Sequence, residues 1–236
     1  MFNRIKLLWA VPLLAAGLGL PAQEGPSPQA PLKASSEYAA YRSGFLKDYD
    51  QLRPVHGTRG LLFFADKSFD FKSYTKFAFD PVQVITVPQK GGQKITPEVE
   101  DRLKSEALAA FKKALEPDYQ VVDAAGPGVL RVRFAITGVK PVKPDLNPSN
   151  FIPIGIIVHA GQAAMGKSRK YAELSGEMEV LSPADKRAAA ASFKRRGTEK
   201  LGKGYAITWE QMDAIIGQWA VNFRARVDAL RGVAKP

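Results

Sequence analysis

The sequence predicts an α+β fold, a two-layer sandwich in which two amphipathic helices lie on one face of a mainly antiparallel sheet. Three observations support this. Behind Thr96 and behind Thr208, apolar residues recur at helical spacing after a capping side chain. Residues 129–139 and 171–181 instead alternate apolar and polar side chains with period two, the mark of half-buried strands. The tetrapeptide Ser182-Pro183-Ala184-Asp185 then has turn chemistry and would return the second of these strands as a hairpin.

In chain order, the first pattern is an export leader. Arg4 and Lys6 form a basic start, residues 7–20 an apolar run, and Pro21-Ala22 a small-residue cleavage point before Gln23. The run is shorter than the roughly twenty residues of a spanning helix. Pro12, Gly17 and Gly19 weaken it further, which argues against an uncleaved anchor. With no cysteine anywhere, no thiol is present to carry a lipid and packing alone must stabilise the fold. The expected location is periplasmic or secreted, after cleavage near Ala22. Residues 23–37, rich in Pro, Ala, Ser and Gln, read as a disordered tether. Residues 38–232 read as a single α+β domain and residues 233–236 as a flexible tail.

Within the domain, Tyr38, Tyr41, Phe45 and Tyr49 recur at helix-like spacings interrupted by Gly44, which predicts a short helix or a packed turn laid on the domain. The phenylalanines at 63, 64, 69, 71 and 77 are mixed with Asp and Lys and suit a wrapping loop. Residues 76–87 read as a strand, at an edge or bulged, because Pro81 has no N–H to donate. The first helix follows Thr96, with Pro97 at its first position, acids in its first turn and an end near Glu116. Residues 119–123 form a short strand and Gly126-Pro127-Gly128 a turn. In the next strand Leu130, Val132, Phe134 and Ile136 face the core, and residues 140–148 are a Pro-rich loop. In 171–181, Leu174, Met178 and Val180 point inward and Glu173, Ser175, Glu177 and Glu179 outward. Residues 186–197 are ambiguous between helix and strand by propensity; the preceding turn favours the strand. Thr208 with Gln211 makes a capping box for the last helix, whose buried face runs from Met212 through Trp219 to Leu230.

Charge is distributed unevenly. Residues 23–126 carry 14 basic and 14 acidic side chains, whereas 127–236 carry 18 and 9. Such asymmetry either keeps an exported protein soluble or points to an anionic partner, anionic envelope components or another envelope protein, with Lys186, Arg187, Lys194, Arg195, Arg196, Arg224 and Arg226 as the candidate surface. No basic and aromatic residues interleave in a nucleic-acid module.

Three patterns could carry chemistry. Gly161-Gln162-Ala163-Ala164-Met165-Gly166-Lys167-Ser168 fits the phosphate-binding loop, which would make the chain a nucleotide-binding protein. Its context argues against this: a phosphate loop must open a helix, while 171–181 has strand periodicity, and no apolar run ending in Asp follows it. Ser73-Tyr74-Thr75-Lys76 fits the S-x-x-K of periplasmic acyl transferases but lacks a downstream K-T-G. Glu177 and Glu179 share one strand face as an acid pair would. Opposite Arg131 and Arg133, they read more simply as exposed ion pairs. His56 and His159 have no metal-ligand spacing between them. The sequence therefore nominates no catalytic residue, cofactor or metal.

Ser43-Gly44-Phe45-Leu46-Lys47-Asp48-Tyr49 with Leu52-Arg53-Pro54, then Tyr74, Lys76-Phe77 and Asp80-Pro81-Val82, resemble an exported bacterial lipoprotein family of unknown function, domain-of-unknown-function family 3313. Residues 177–181, the turn at 182–185 and Arg195-Arg196-Gly197 resemble that family's acidic strand, turn and returning strand. The resemblance implies a strand for 186–197 and an accidental phosphate-loop match, and it implies no activity. Many members carry a lipidated cysteine after the leader, and this chain departs from them in having none. The expected role is that of an exported, non-catalytic cell-envelope protein, a binding or accessory module using its basic C-terminal half, with a structural subunit of an envelope complex as the alternative.

Overall fold

A computed structural model of the 236-residue chain describes residues 42–58, 60–85, 96–116, 118–142, 170–202 and 206–233. The expected leader and tether, the phosphate-loop pattern and His159 lie outside the described residues, as do residues 234–236 of the expected tail.

The elements run β1 (Arg53–Pro54), β2 (Leu61–Ala65), a 3-10 turn at Phe71–Ser73, β3 (Lys76–Phe79), β4 (Gln83–Val84), α1 (Pro97–Leu115), β5 (Gln120–Val122), β6 (Val129–Val142), β7 (Tyr171–Leu181), β8 (Arg187–Lys200) and α2 (Trp209–Arg231). The strands form one sheet in the order β1-β2-β8-β7-β6-β3-β5, with β4 also paired to β6. The fold is α+β, and the sheet is mixed. The β1, β2, β8, β7 and β6 neighbours pair antiparallel, whereas β3–β5, β3–β6 and β4–β6 are parallel. The parallel end arises because α1 separates β3 from β5, and a helix crossover returns the chain in the same direction.

Both helices begin as their sequences dictate. The Thr96 side chain accepts from Val99 N ahead of Pro97. Thr208 and Gln211 form a reciprocal capping box, and α2 ends at left-handed Gly232. Arg224 joins the two helices by donating to the Ala114 and Leu115 carbonyls at the end of α1. Those carbonyls have no partner within α1, so the cation satisfies them.

Leu103, Ala107, Phe111 and Leu115 of α1 and Met212, Ile215, Ile216 and Trp219 of α2 meet Val132, Phe134, Ile136, Leu174, Met178 and Val180 in the main core. A bulge between Ile136 and Gly138 shifts the period, so Val139 again faces this core. A smaller cluster of Phe45, Leu46, Leu52, Ala135 and Ala190 is separate from it. Ala135 lies between Phe134 and Ile136 and therefore points to the opposite face of the sheet.

Several expectations change. Residues 61–65 are strand β2 rather than loop, laid against Ala189–Phe193, where a run of alanines leaves room for Leu62, Phe63 and Phe64. Within the expected strand, the described residues 76–85 are split at Pro81 into β3 and β4, and β3 is flanked on both sides rather than at an edge. Pairing with β6 resumes after the proline, through Ile85 N to Ile136 O at 2.9 Å. Residues 42–52 are a packed turn with no helix. Residues 186–197 are a strand, as the turn chemistry required, extending to Lys200.

Candidate functional site

The two acids that share one face of β7, Glu177 and Glu179, are not exposed. Alternation along β7 points Glu177 and Glu179 away from the helices, but residues 42–52 cross that face and cover them, leaving Glu177 0% and Glu179 4% exposed. Register explains their different partners. Arg133 lies opposite Glu179, Arg131 opposite Leu181, and Ala135 opposite Glu177, so no cation faces Glu177 across the strands.

Glu177 is instead held by hydrogen bonds from the crossing segment. Ser43 N donates to its Oε1 at 3.1 Å, and Ser43 Oγ and the Tyr49 hydroxyl donate to Oε2 at 2.7 Å each. The Tyr49 oxygen accepts in turn from Gly44 N at 2.9 Å and Leu46 N at 3.3 Å. Gly44 adopts φ +88°, a conformation that favours glycine, and this turns the chain back over the phenol. Burial, followed by the hydrogen bond to Glu177, raises the Tyr49 pKa above the ordinary tyrosine value.

Glu179 holds the same segment through two arginines. Its Oε2 accepts from Arg133 Nη1 at 2.8 Å and its Oε1 from Arg187 Nε at 2.8 Å. Arg187 Nη1 continues to the Asp48 carbonyl at 2.7 Å, and the Arg133 guanidinium lies 5.0 Å from the Phe45 ring centroid. The expected exposed pairs are thus a buried clasp. Arg131 takes no part in it, pairing with Asp185 at 3.1 Å and lying 3.8 Å from Asp80. A carboxylate sealed in this way can position a segment; it cannot meet a solute unless residues 42–52 lift.

The other nominated groups are dispersed. The Ser73 hydroxyl donates to Asp70, and Lys76 starts a strand rather than standing one helical turn away. His56 is exposed in a turn. Among the seven candidate cations, Arg187 belongs to the clasp, and Arg224 is tied to Asp118 and Asp228 beneath the Tyr119 ring. Arg226 lies 4.7 Å from the Phe63 ring centroid, and Arg196 5.0 Å from that of Tyr171. Lys194 is half-buried, with its N–H on Gly60 O. Lys186 and Arg195 are exposed. No group of metal-ligating side chains occurs among the described residues.

Sequence comparison matches residues 41–223 to a family model described as protein of unknown function (DUF3313). The chain belongs to the DUF3313 family. Two curated relatives, the uncharacterized lipoprotein YdcL of Escherichia coli strain K12 and of Escherichia coli O157:H7, are each 30% identical over 144 residues. Each alignment spans 60% of this chain and 64% of the relative, so the match leaves more than a third of those proteins uncovered. Among solved structures, a PelC dodecamer from Paraburkholderia phytofirmans is similar at TM-score 0.34 and 9% identity, over 74% of this chain and 98% of that one. A minor lipoprotein from Acinetobacter baumannii matches at TM-score 0.33 and 10% identity, over 67% and 95%. The DUF3313 match takes in the segment from Ser43 to Pro54 and the acidic strand it covers. No helix among the described residues is long and apolar enough to cross a membrane.

Proposed function

We propose that this DUF3313 protein is an exported, non-catalytic component of the cell envelope, a binding or accessory module that uses its basic C-terminal half as the contact surface. One observation carries the reading: the side chains best suited to acid-base chemistry, Glu177, Glu179 and Tyr49, are committed to an internal clasp, while Lys186 and Arg195 face solvent. The leader pattern and the lipoprotein relatives support placement in the periplasm or outside the cell after cleavage near Ala22. The charge excess beyond residue 127 supports an anionic partner, and attraction of that kind weakens as salt shortens the screening length. The test is retention on vesicles containing anionic phospholipid, compared with neutral vesicles. It uses the wild type and the variant carrying Lys194→Gln, Arg195→Gln and Arg196→Gln. Stronger retention of the wild type on anionic vesicles, lost in the variant and in high salt, is the expected result. Equal retention of both proteins, insensitive to salt, overturns the charged-surface reading.

A further inference from the structure

We propose that residues 42–52 are a releasable strap, which unlatches from the sheet as a unit while the helices and main core remain folded. The first support is the separation of the two apolar clusters. Phe45, Leu46 and Leu52 pack on Ala135 and Ala190, with Leu62, Phe64 and Ile85 around them, and none of these belongs to the cluster that joins α1 and α2 to the sheet. Lifting the strap therefore leaves the helix-facing contacts in place, the condition for a local opening of lower free energy than global unfolding.

The second support is how few polar contacts close it. Ser43 and Tyr49 converge on one carboxylate that has no salt-bridge partner among the described residues, Arg187 adds bonds to the Asp48 carbonyl and, at 3.5 Å, to the Gln51 side chain, and Arg133 lies over the Phe45 ring. Residues 42–52 carry no strand pairing of their own, which begins just beyond them where the two residues of β1 join β2. Release would free about 35 Å of extended chain ahead of β1. It would also uncover Glu177, Ala135 and Ala190. Release of the strap thus controls the exposure of a sheet face.

Native-state proteolysis tests this, because Lys47 is exposed but follows buried Phe45 and Leu46 and so cannot enter a protease cleft until the strap lifts. Cleavage after Lys47 by a lysine-specific protease is timed in the full chain alongside amide exchange of α1 and β6. In the wild type, cleavage is expected under conditions where α1 and β6 amides remain protected. Glu177→Gln and Tyr49→Phe should each accelerate it about tenfold or more, the loss expected for a hydrogen bond to a charged group. Exchange in α1 should stay unchanged. Cleavage that keeps pace with α1 exchange, or that neither variant accelerates, overturns the proposal. If Glu177→Gln does not fold, the wild-type comparison and Tyr49→Phe decide the question.

Discussion

Replacing Gly176 with alanine tests how tightly the sheet centre is packed. Gly176 lies in β7 opposite Ile136 on one side and Phe193 on the other. The Phe134 and Phe193 rings stack nearly parallel, 6.1 Å between centroids and 5° between planes. A Cβ at Gly176 would stand 3.0 Å from Cε2 of each ring and 3.1 Å from the Ala135 carbonyl oxygen. The rings cannot part freely, because Trp219 packs edge-on against both. Ala in a strand interior gains about 0.5–1 kcal/mol over Gly. Overpacking costs about 1–3 kcal/mol, so a net loss of about 1–2 kcal/mol is expected. In urea denaturation the midpoint should fall with the slope unchanged, and Tm should drop by about 3–6 °C. Introducing Phe193→Leu first should reduce the loss by about 0.5 kcal/mol or more, since one of the two obstructing rings is then gone. A neutral or stabilising Gly176→Ala, or the same loss in both backgrounds, would refute the reasoning.

Three further outcomes follow from the same contacts. Glu179→Ala takes the main partner from two partly exposed arginines, leaving Arg133 only Asp80 at 3.7 Å and Arg187 the Asp48 carbonyl and Gln51, and should lower stability by about 2–3 kcal/mol in urea melts, below the full value of a buried pair. Thr208→Ala removes the capping box of α2 and should cost about 1 kcal/mol by the same measurement. Burial and then hydrogen bonding to Glu177 raise the Tyr49 hydroxyl, as burial and then Asp228 raise that of Tyr119. Their contribution to stability is complete below the ordinary tyrosine value of about 10 and is lost as pH rises through the folded-state value. Urea melts across that range should show stability falling with pH, and Tyr49→Phe and Tyr119→Phe should each flatten the fall; an unchanged slope in both would disprove the assignment.

The parts legible in the sequence are those written in local chemistry. Thr96-Pro97, Thr208 with Gln211, and the turn from Ser182 to Asp185 announced both helices and the β7–β8 hairpin, because caps and turns are satisfied by residues three or four positions away. Strand β2 was not legible, since five consecutive apolar residues show no period and their partner, the alanine run of β8, lies over a hundred residues downstream. The clasp was half legible. Period two placed Glu177 and Glu179 on one face and suggested Arg131 and Arg133 as partners, of which only Arg133 pairs with Glu179, and it assigned that face to water. The hydroxyls that seal Glu177 lie 128 and 134 residues upstream, and nothing in the spacing of Ser43 or Tyr49 points to that acid.

By itself the sequence determined the α+β class, both helix starts, the hairpin and the excess of basic residues in the second half, because each depends on composition or short-range pattern. Only the tertiary structure decided the parallel end of the sheet and which faces are covered. It also decided what the paired carboxylates do. Strand order and a crossing segment are set by long-range burial, and a carboxylate's environment is fixed by whatever packs over it rather than by its neighbours in the chain. In this DUF3313 protein that covering segment turns two apparent surface acids into the clasp of a strap.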